Sequence, residues 1–457
     1  MLRRYRFIAL IATAALVVGA CGNSKDKTSS ATTKPTVPGE TTTTADLKKN
    51  VKVDEKGVSD SEIKFTSIAV KTNNILGTNI YGAFNDGIKA YFAWRNDGGG
   101  IYGRKLVLAK QRDDELAFND RESKAMISED DSFGVFDAPL QPRGYEDLAK
   151  AGVPTFTWGI HGEAAGHDNF FGHIGQICFG CITHPQVYLA KQVGAKAVAI
   201  LGYKDTENSR LCGVGQKLSF EKFGPELGIK VTVFDNDLNF GLANGLAPQV
   251  TKMKETGVKF VTTCMDLNGM KTLADELHKQ GLDDVVLSHP NTYNVPFVKA
   301  AKGLFEGDFI ASQFVPYENN IDSEMQRKFF EYTDKLKITR EELTMIGWIA
   351  ADQAYQGLVL AGPEFNRAKV IAGLNTQTAY TADGLLVPIN WTKQHADPKL
   401  HPESTGAFEC FAPVKVVKDK FVPAFSGATP DKPWTCWKSG DTAKWSEPTQ
   451  MSFTNAE

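Results

Sequence analysis

Three glycines in the stretch NDGGGIYGRKL, residues 96–106, have the G-x-G-x-x-G spacing of a dinucleotide-binding turn: Gly98, Gly100 and Gly103. Such a turn follows a strand and opens a helix, because the pyrophosphate of the cofactor sits on the helix N-terminus. Here the order is reversed. The glycines follow an amphipathic helical pattern and precede the β-rich run IYGRKLVL, so they indicate a helix stop and a turn. We therefore expect no nucleotide cofactor.

A second group of chemically competent side chains lies between residues 160 and 184, which hold half of the eight histidines and a C-x-x-C pair. Imidazole and thiolate are zinc ligands, and C-x-x-C is a common half-site. The stretch has no second C-x-x-C and no H-x₃-H partner. We therefore expect no metal ion and keep zinc as the alternative interpretation. The residues concerned are His161, His167, His173, Cys178, Cys181 and His184.

Catalytic signatures do not occur in the sequence, which has no G-x-S-x-G, no H-E-x-x-H and no P-loop. The composition is that of an ordinary soluble protein, with 42% hydrophobic and 23% charged residues. The formal net charge of −3 provides no basic footprint for nucleic acid. We therefore expect neither an enzyme nor a nucleic-acid-binding protein.

The N-terminus has the layout of an export signal. Three arginines precede the apolar run FIALIATAALVV, and small residues lead to Cys21 in V-G-A-C. This sequence resembles the lipobox of bacterial lipoproteins, in which the cysteine carries a diacylglyceryl group and the chain is cut before it. We predict a signal peptide over 1–20 and a membrane-anchoring lipid on Cys21, with a plain signal peptide as the alternative. The Thr/Ser/Lys/Pro-rich segment 21–60 is predicted to be a disordered tether.

Export also changes how the cysteines are interpreted. Without Cys21 there are six, and an even number outside the cytosol favours up to three disulfides. We pair Cys410 with Cys436, because these two lie alone in the C-terminal segment. The pairing of the other four stays open: Cys178, Cys181, Cys212 and Cys264.

The elements that must position any site begin at residue 61. Strand patterns alternate with helical patterns in two successive runs, 61–160 and 185–303. Such alternation is typical of parallel, doubly wound sheets, and its repetition predicts two similar α/β lobes. Two long helical patterns and a strand-rich tail follow.

The order of these features resembles the type I periplasmic binding proteins of ABC transporters, in the branched-chain amino acid and amide group. That family carries an Asn-Ala-x-Gly-Gly-Ile-x-Gly-Arg-Lys run, then a strand, then Asp-Asp. KAGVPTFTW, LAPQVTKMKETGVKFV and IAADQAYQGLVLAG are similar to further family segments, and the resemblance covers most of 61–425. The matching residues of the first motif are Asn96, Gly99, Gly100, Ile101, Gly103, Arg104, Lys105, Asp113 and Asp114.

The resemblance implies an α/β fold of two Rossmann-like lobes with parallel sheets, joined by three hinge crossings. It implies a monomer without a cofactor that captures a small molecule by hinge closure and delivers it to an ABC permease. A receptor of the same fold that signals ligand occupancy to a membrane partner is the alternative. The implied segments are lobe 1 over 61–175 and 314–376, lobe 2 over 178–310 and 384–457, and crossings near residues 176, 312 and 380.

Ligands of open α/β sheets bind beyond the carboxyl ends of the strands, so the loops after strands supply the candidate site. Arg143 stands where relatives carry a Ser/Gly-rich loop, and it has the geometry to pair with a carboxylate; an exposed charge at a helix start is the alternative. Relatives place an acid on the second lobe to hold a ligand ammonium, a role open to Asp266 or Glu207. The departures from the family leave an amino acid, an amide or an aromatic or organic acid as ligand. The predicted ligand-binding residues are Thr72, Asn73, Asn74, Gln141, Arg143, Thr157, Trp158, Gly159, Tyr203, Asp205, Glu207, Asp266, Asn291 and Tyr293.

Overall fold

The computed structural model of the chain describes residues 47–74, 77–176, 178–396, 409–425, 427–438 and 443–454. All of them belong to one unit, Ala45–Glu457. The predicted signal peptide, Cys21 and most of the predicted tether lie outside the described residues, so these predictions stay as they are. No helix within the described ranges combines the length and the apolar content that crossing a membrane requires.

The first lobe is built on a five-stranded sheet in which every strand pairs in parallel, in the order β2-β1-β3-β4-β5. The strand β1, EIKFTSIA, pairs on both sides and is buried along most of its length, as expected where helices cover both faces of a parallel sheet. The elements are β1 (Glu62–Ala69), α1 (Ile80–Asp97), β2 (Lys105–Asp113), α2 (Asn119–Glu129), β3 (Gly134–Ala138), α3 (Tyr145–Lys150), β4 (Thr155–Thr157) and β5 (Phe170–Gly172).

The second lobe has a seven-stranded sheet in the order β13-β12-β10-β9-β8-β6-β7. Four strands from the second sequence run and β10, which follows the run, are parallel, and the hairpin β12–β13 from the tail adds two antiparallel strands at one edge. The elements up to β10 are α4 (Pro185–Gln192), β6 (Ala197–Tyr203), α5 (Glu207–Leu227), β7 (Lys230–Leu238), α6 (Ala247–Thr256), β8 (Phe260–Cys264), α7 (Leu267–Lys279), β9 (Val286–His289), α8 (Val295–Ala300) and β10 (Phe309–Ile310).

Two long helices then return to the first lobe, where α10 packs along α1. The approach is close because a glycine faces the other backbone on each side: a Cβ on Gly87 would lie 1.9 Å from the Thr344 carbonyl oxygen, and one on Gly347 would lie 2.1 Å from that of Phe84. The remaining elements are α9 (Glu324–Leu336), α10 (Glu342–Ala361), α11 (Arg367–Leu374), α12 (Trp391–Gln394), β11 (Cys410–Phe411), β12 (Val414–Val417), β13 (Lys420–Pro423), β14 (Trp434–Cys436) and β15 (Thr449–Met451).

The chain passes between the lobes three times: between β5 and α4, between β10 and α9, and after α11. The crossings lie against one another. The Val315 amide on the second donates to the Leu385 carbonyl on the third at 2.9 Å, and the Gln176 amide on the first donates to Gln394 Oε1 at 2.5 Å. This arrangement confirms the predicted fold class, while the residue boundaries of the lobes stay predictions.

The glycine-rich stretch 96–106 ends a helix and forms a turn, as its position in the sequence predicted. Gly98 caps the C-terminus of α1, and Gly100 comes so close to the chain that a Cβ there would lie 2.0 Å from the Arg104 carbonyl oxygen. Tyr102 and Gly103, with φ of 51° and 70°, are the two central residues of a tight turn bridged by Ile101 and Arg104. Positive φ at both positions is the type I′ geometry that leads directly into a strand.

The segment before residue 61 differs from the prediction of a tether that extends to residue 60. The buried Arg104 guanidinium donates to the carbonyl oxygens of Ser59 at 2.6 Å and Val51 at 2.8 Å, and the Gly57 amide donates to Asp131 Oδ1 at 2.9 Å. The polar composition of this segment concealed the contact, because its backbone rather than its side chains makes these bonds. The part of the chain that packs on the first lobe therefore begins before residue 61.

Three disulfides join the six cysteines of the described residues: Cys178–Cys181, Cys212–Cys264 and Cys410–Cys436. The last is the pairing expected from the sequence; it links β11 to β14 in a small antiparallel sheet with β15. The second joins helix α5 to the carboxyl end of strand β8, next to the space between the lobes.

Candidate ligand-binding cleft

A cavity of about 190 Å³ lies between the lobes, beyond the carboxyl ends of their strands; we call it the outer cleft. The first lobe contributes the loops after β2, β3 and β4, and the second contributes those after β6, β7, β8 and β9. The second crossing supplies Gln313. The lining residues include Leu116, Leu140, Gln141, Trp158 and Ile160 from the first lobe, and Tyr203, Asp205, Asn208, Phe240, Met265, Asp266 and Asn291 from the second.

Asp266 is the buried acid of the outer cleft. It caps helix α7, where its Oδ1 accepts from the Gly269 amide at 2.6 Å and from the Tyr203 hydroxyl at 3.2 Å. The side chain lies at the start of α7, so the partial positive charge of the helix N-terminus favours the carboxylate. Burial nevertheless dominates and raises the pKa of Asp266 to about 6, while the two hydrogen bonds oppose the rise.

Asn291 follows strand β9 and also lines the outer cleft. Its Oδ1 is buried and has no hydrogen-bond partner in the structure. An unpaired buried acceptor costs about 1–3 kcal/mol. The Asn291 amide is therefore a ready acceptor for a donor group on a bound molecule.

Trp158 forms the apolar face of the first lobe's wall. It is 3% exposed, and its Nε1 donates to Gln313 Oε1 at 3.4 Å, which ties the end of β4 to the second crossing. Next to it, the Gly159 amide donates to Nδ1 of the buried His173 at 3.0 Å. Burial lowers the pKa of His173 to about 3, so this imidazole is a neutral acceptor at physiological pH.

The charges of the outer cleft are one-sided. Among the described residues that line it, Asp205 and Asp266 are the charged ones, and no lysine, arginine or histidine is present. Asp205 is exposed at the mouth and accepts from the Phe240 amide at 2.6 Å. An acidic, mostly apolar cleft favours a ligand that is neutral or carries an ammonium group, since a buried carboxylate would have no cation to pair with.

Six of the fourteen sequence-predicted residues line the outer cleft together: Gln141, Trp158, Tyr203, Asp205, Asp266 and Asn291. They come from five different loops that only the tertiary fold brings to one place.

The other eight make contacts away from that lining, and their ligand role stays a prediction. The Thr72 hydroxyl donates to Asp113 at 2.5 Å, Arg143 is exposed and donates to the Ala117 carbonyl at 3.4 Å, and Glu207 pairs with Arg210 at 2.5 Å. The remaining five are Asn73, a loop residue with φ of 59°; Asn74, which donates to the Thr78 carbonyl; the buried Thr157; Gly159; and Tyr293.

Tyr293 has a hinge contact instead of a cleft contact. Its hydroxyl donates to Glu318 Oε2 at 2.5 Å and accepts from the Tyr317 amide at 2.7 Å. These bonds connect the loop after β9 to the chain beyond the second crossing. The residue therefore helps to hold the two lobes in register.

Sequence reasoning missed the apolar half of the outer cleft, because such residues resemble ordinary core. Leu116 shows what the sequence does not reveal. With Glu115 it adopts positive φ, 76° and 50°, a conformation that side-chain-bearing residues adopt rarely, and this turns Leu116 toward the ligand space. One indication of these apolar residues was present in the sequence. Most of them lie within two positions of a residue that was predicted to bind the ligand.

The histidines and the C-x-x-C pair of residues 160–184 do not come together as a set of metal ligands. Cys178 and Cys181 are joined to each other, the Nε2 of His161 bonds to the Pro139 carbonyl at 2.8 Å, and His184 Nδ1 bonds to Glu409 at 2.9 Å. Within the part of the chain that the structure describes, no three His, Cys, Asp or Glu side chains come together as metal ligands.

Comparisons with known proteins agree with this geometry. Residues 78–402 match the family model described as periplasmic binding protein, so the chain belongs to this family. Membership implies an exported protein that binds a small molecule, and it confirms the resemblance inferred from the sequence. No curated protein matches the sequence significantly.

Solved structures of similar fold have low sequence identity. A fatty acid ABC transporter substrate-binding protein from Thermomonospora curvata has a TM-score of 0.65 at 16% identity, over 85% of this chain and 95% of that one. A branched chain amino acid ABC transporter from Thermus thermophilus with bound valine has 0.61 at 15%, over 80% and 96%. LivJ from Streptococcus pneumoniae, with isoleucine, has 0.63 at 14%, over 79% and 98%. At these identities the likeness shows the fold alone.

Proposed function

We propose that the protein is a lipid-anchored solute-binding protein outside the cytoplasm that captures a small molecule in the outer cleft and delivers it to an ABC permease. The observation that carries this proposal is the cleft itself, in which Trp158 of one lobe faces the polar groups Asp266 and Asn291 of the other. The acyl group on Cys21 would keep the protein at the membrane, and the protein would act without catalysis.

The ligand class follows from the charges of the lining. The Asp266 carboxylate is held by Tyr203 and Gly269, and Asn291 Oδ1 is an unpaired acceptor nearby. Both groups are suited to donors, and an ammonium pairs best with the buried carboxylate. Of the classes open from the sequence, an amide is therefore favoured over an organic acid, because the described lining has no cation. An amino acid fits through its ammonium group only if hydrogen bonds, rather than a cation, hold its carboxylate.

The two lobes touch each other at the rim of the outer cleft. Gly77, in the loop after β1, lies so close to Asn268 at the start of α7 that a Cβ on it would be 2.7 Å from Asn268 Oδ1. The first and second lobes therefore meet beside the outer cleft. Such a contact would be made and broken as the lobes rotate about the three crossings.

Thermal unfolding of the purified protein against amino acids, amides and organic acids tests this function. A ligand at 100 times its Kd adds about 2.7 kcal/mol to the free energy of unfolding. We expect a shift with amino acids or amides that Asp266→Asn strongly reduces and Glu207→Gln, outside the lining, leaves intact. No shift with any compound would contradict the proposal. A shift without ligand uptake in vesicles that hold the permease would favour the receptor alternative.

A further inference from the structure

A second cavity of about 210 Å³ adjoins the outer cleft on the side of the crossings. The two cavities adjoin each other, since both are bordered by Phe179, Cys212, Pro290 and Gln313. We call the second one the inner chamber. Its other boundaries include Ile174, Ala311, Gln216, Val387, Phe411 and Trp434.

The inner chamber differs chemically from the outer cleft. No described residue that lines it carries a charge, and its walls contain aromatic rings and cysteines from all three disulfides. Surfaces of this kind bind apolar groups by the hydrophobic effect and reject ions, which would lose their hydration without a partner.

Two polar atoms of residues that line the chamber are buried without a hydrogen-bond partner: Gln216 Oε1 and Trp434 Nε1. The Nε2 of Gln216 donates to the Thr263 carbonyl at 3.5 Å and to Cys212 Sγ at 3.4 Å, which orients the amide. The Oε1 of the same side chain is buried and has no hydrogen-bond partner. The neighbouring Gln186 is different, since its Oε1 already accepts from Thr262 at 3.1 Å. The lining therefore holds one unpaired acceptor, Gln216 Oε1, and one unpaired donor, Trp434 Nε1, for an otherwise apolar occupant.

Volume indicates that the two spaces serve one ligand. Pockets for small molecules have volumes of about 300–1,000 Å³. The outer cleft, at about 190 Å³, and the inner chamber, at about 210 Å³, each fall below that range, whereas together they reach it. A ligand confined to the outer cleft would leave the adjoining apolar space unfilled.

We propose that the ligand is an amphipathic molecule with a non-acidic polar head in the outer cleft and an uncharged apolar tail in the inner chamber, where one donor group meets Gln216 Oε1. This inference rests on the proposed function and names its ligand class. Ile174, Ala311 and Val387 belong to the first, second and third crossings, so the tail touches all three. Filling the chamber therefore acts on the segments about which the lobes rotate.

Calorimetric titration of the purified protein with n-alkylamines of four, six, eight and ten carbons tests the tail, with the corresponding n-alkanoates as the acidic series. Once the alkyl chain extends beyond the outer cleft, we expect affinity to rise about fourfold per methylene until the chamber is full. 8-Amino-1-octanol should bind more tightly than expected from its lower hydrophobicity, and Gln216→Leu should remove that advantage. The alkanoates should bind far more weakly at every length.

Ala311→Phe places a ring in the inner chamber. In this variant the affinity of the alkylamines should no longer rise with chain length, whereas butylamine should bind as it does to the wild type. Val387→Phe does the same from another crossing, in case the first variant fails to fold. Ala379→Phe is the matched control, because Ala379 lines a separate cavity near Arg95. Equal affinity for amines of all alkyl lengths would contradict a tail site in the inner chamber, and so would an affinity gain with length that persists in both Phe variants. Neither result would contradict ligand binding in the outer cleft. If no amine binds but amino acids or amides still shift thermal unfolding, the amphipathic ligand class is wrong and the proposed function stands. If no compound binds, the proposed function is contradicted as well.

Discussion

The hydroxyl of Tyr203 donates a hydrogen bond to Oδ1 of Asp266 at 3.2 Å within the cleft between the lobes. The two residues come from the ends of neighbouring parallel strands, β6 and β8. Together with the Gly269 amide, the tyrosine orients the carboxylate before any ligand arrives. A pre-oriented group loses little conformational freedom on binding, which favours affinity.

Ligand affinity should depend on pH through Asp266. Burial raises the pKa of this carboxyl to about 6, so a large fraction is protonated in the free protein at mildly acidic pH. An ammonium ligand needs the ionised form. We expect affinity to fall about tenfold per pH unit below 6 and to level off above 7, measured by calorimetry. In Asp266→Asn the residual affinity should be flat over the same range, and an unchanged slope in this variant would contradict the assignment.

Stability of the ligand-free protein should depend on pH in the opposite sense. A carboxyl whose pKa is about 6 when folded and 3.8 in its ordinary state favours folding when protonated. Its contribution is fully present below pH 3.8 and is lost as the pH rises through 6, by roughly 3 kcal/mol. Asp266→Asn keeps a good helix cap, so it should be more stable than the wild type at pH 8 and equal to it near pH 4. Denaturant unfolding at the two pH values measures this difference.

Gly77→Ala should weaken ligand binding by interfering with lobe contact. The new Cβ would lie 2.7 Å from Asn268 Oδ1, and the φ of +78° adds backbone strain. Gly281→Ala is a suitable control, since Gly281 has a φ of +73° and a Cβ added there would have no heavy atom within 4 Å. Both variants should lose about 1 kcal/mol of stability from strain. Only the first should raise Kd, and equal affinities for the two would refute a rim contact in the bound state.

The disulfides should differ in how much they stabilise the fold. Cys212 and Cys264 are 52 residues apart, whereas Cys178 and Cys181 are 3 apart. Loop-closure entropy makes the longer link more stabilising by about 2 kcal/mol. The double Cys→Ser variant of the 212–264 pair should therefore unfold at lower denaturant concentration than that of the 178–181 pair. Equal midpoints would show that chain entropy does not govern these links.

Arg104→Met should destabilise the protein and leave ligand affinity unchanged. The buried guanidinium donates to the carbonyl oxygens of Ser59, Val51 and Tyr102, all on the first lobe and its N-terminal segment. Charge-assisted hydrogen bonds contribute about 1.5–3 kcal/mol each, and methionine retains part of the packing. A loss of about 2–4 kcal/mol in unfolding experiments is expected, with proteolysis near residue 55 as a second measurement. A change in Kd would indicate that the motif acts on the cleft.

Much of the candidate site could be predicted because parallel sheets place their strand ends at one edge. Asp266, Asn291 and Trp158 follow strands that were evident from the sequence pattern, and Tyr203 ends one. Side-chain direction was harder to predict. Arg143 and Glu207 stand in the right loops, yet their side chains find local partners on the surface, and a loop's position does not fix where a side chain points.

By itself, the sequence determined the alternation of strands and helices, the two lobes, and the structural use of the glycine-rich turn, because hydrophobic periodicity and glycine positions act locally. The tertiary structure alone decided which cysteines of the second lobe meet, how Leu116 reaches the ligand space through positive φ, and that burial rather than the helix end governs Asp266. It also decided that an uncharged chamber lies behind the cleft. These properties depend on distances between residues far apart in the chain, and such distances are set only when the crossings bring both lobes together.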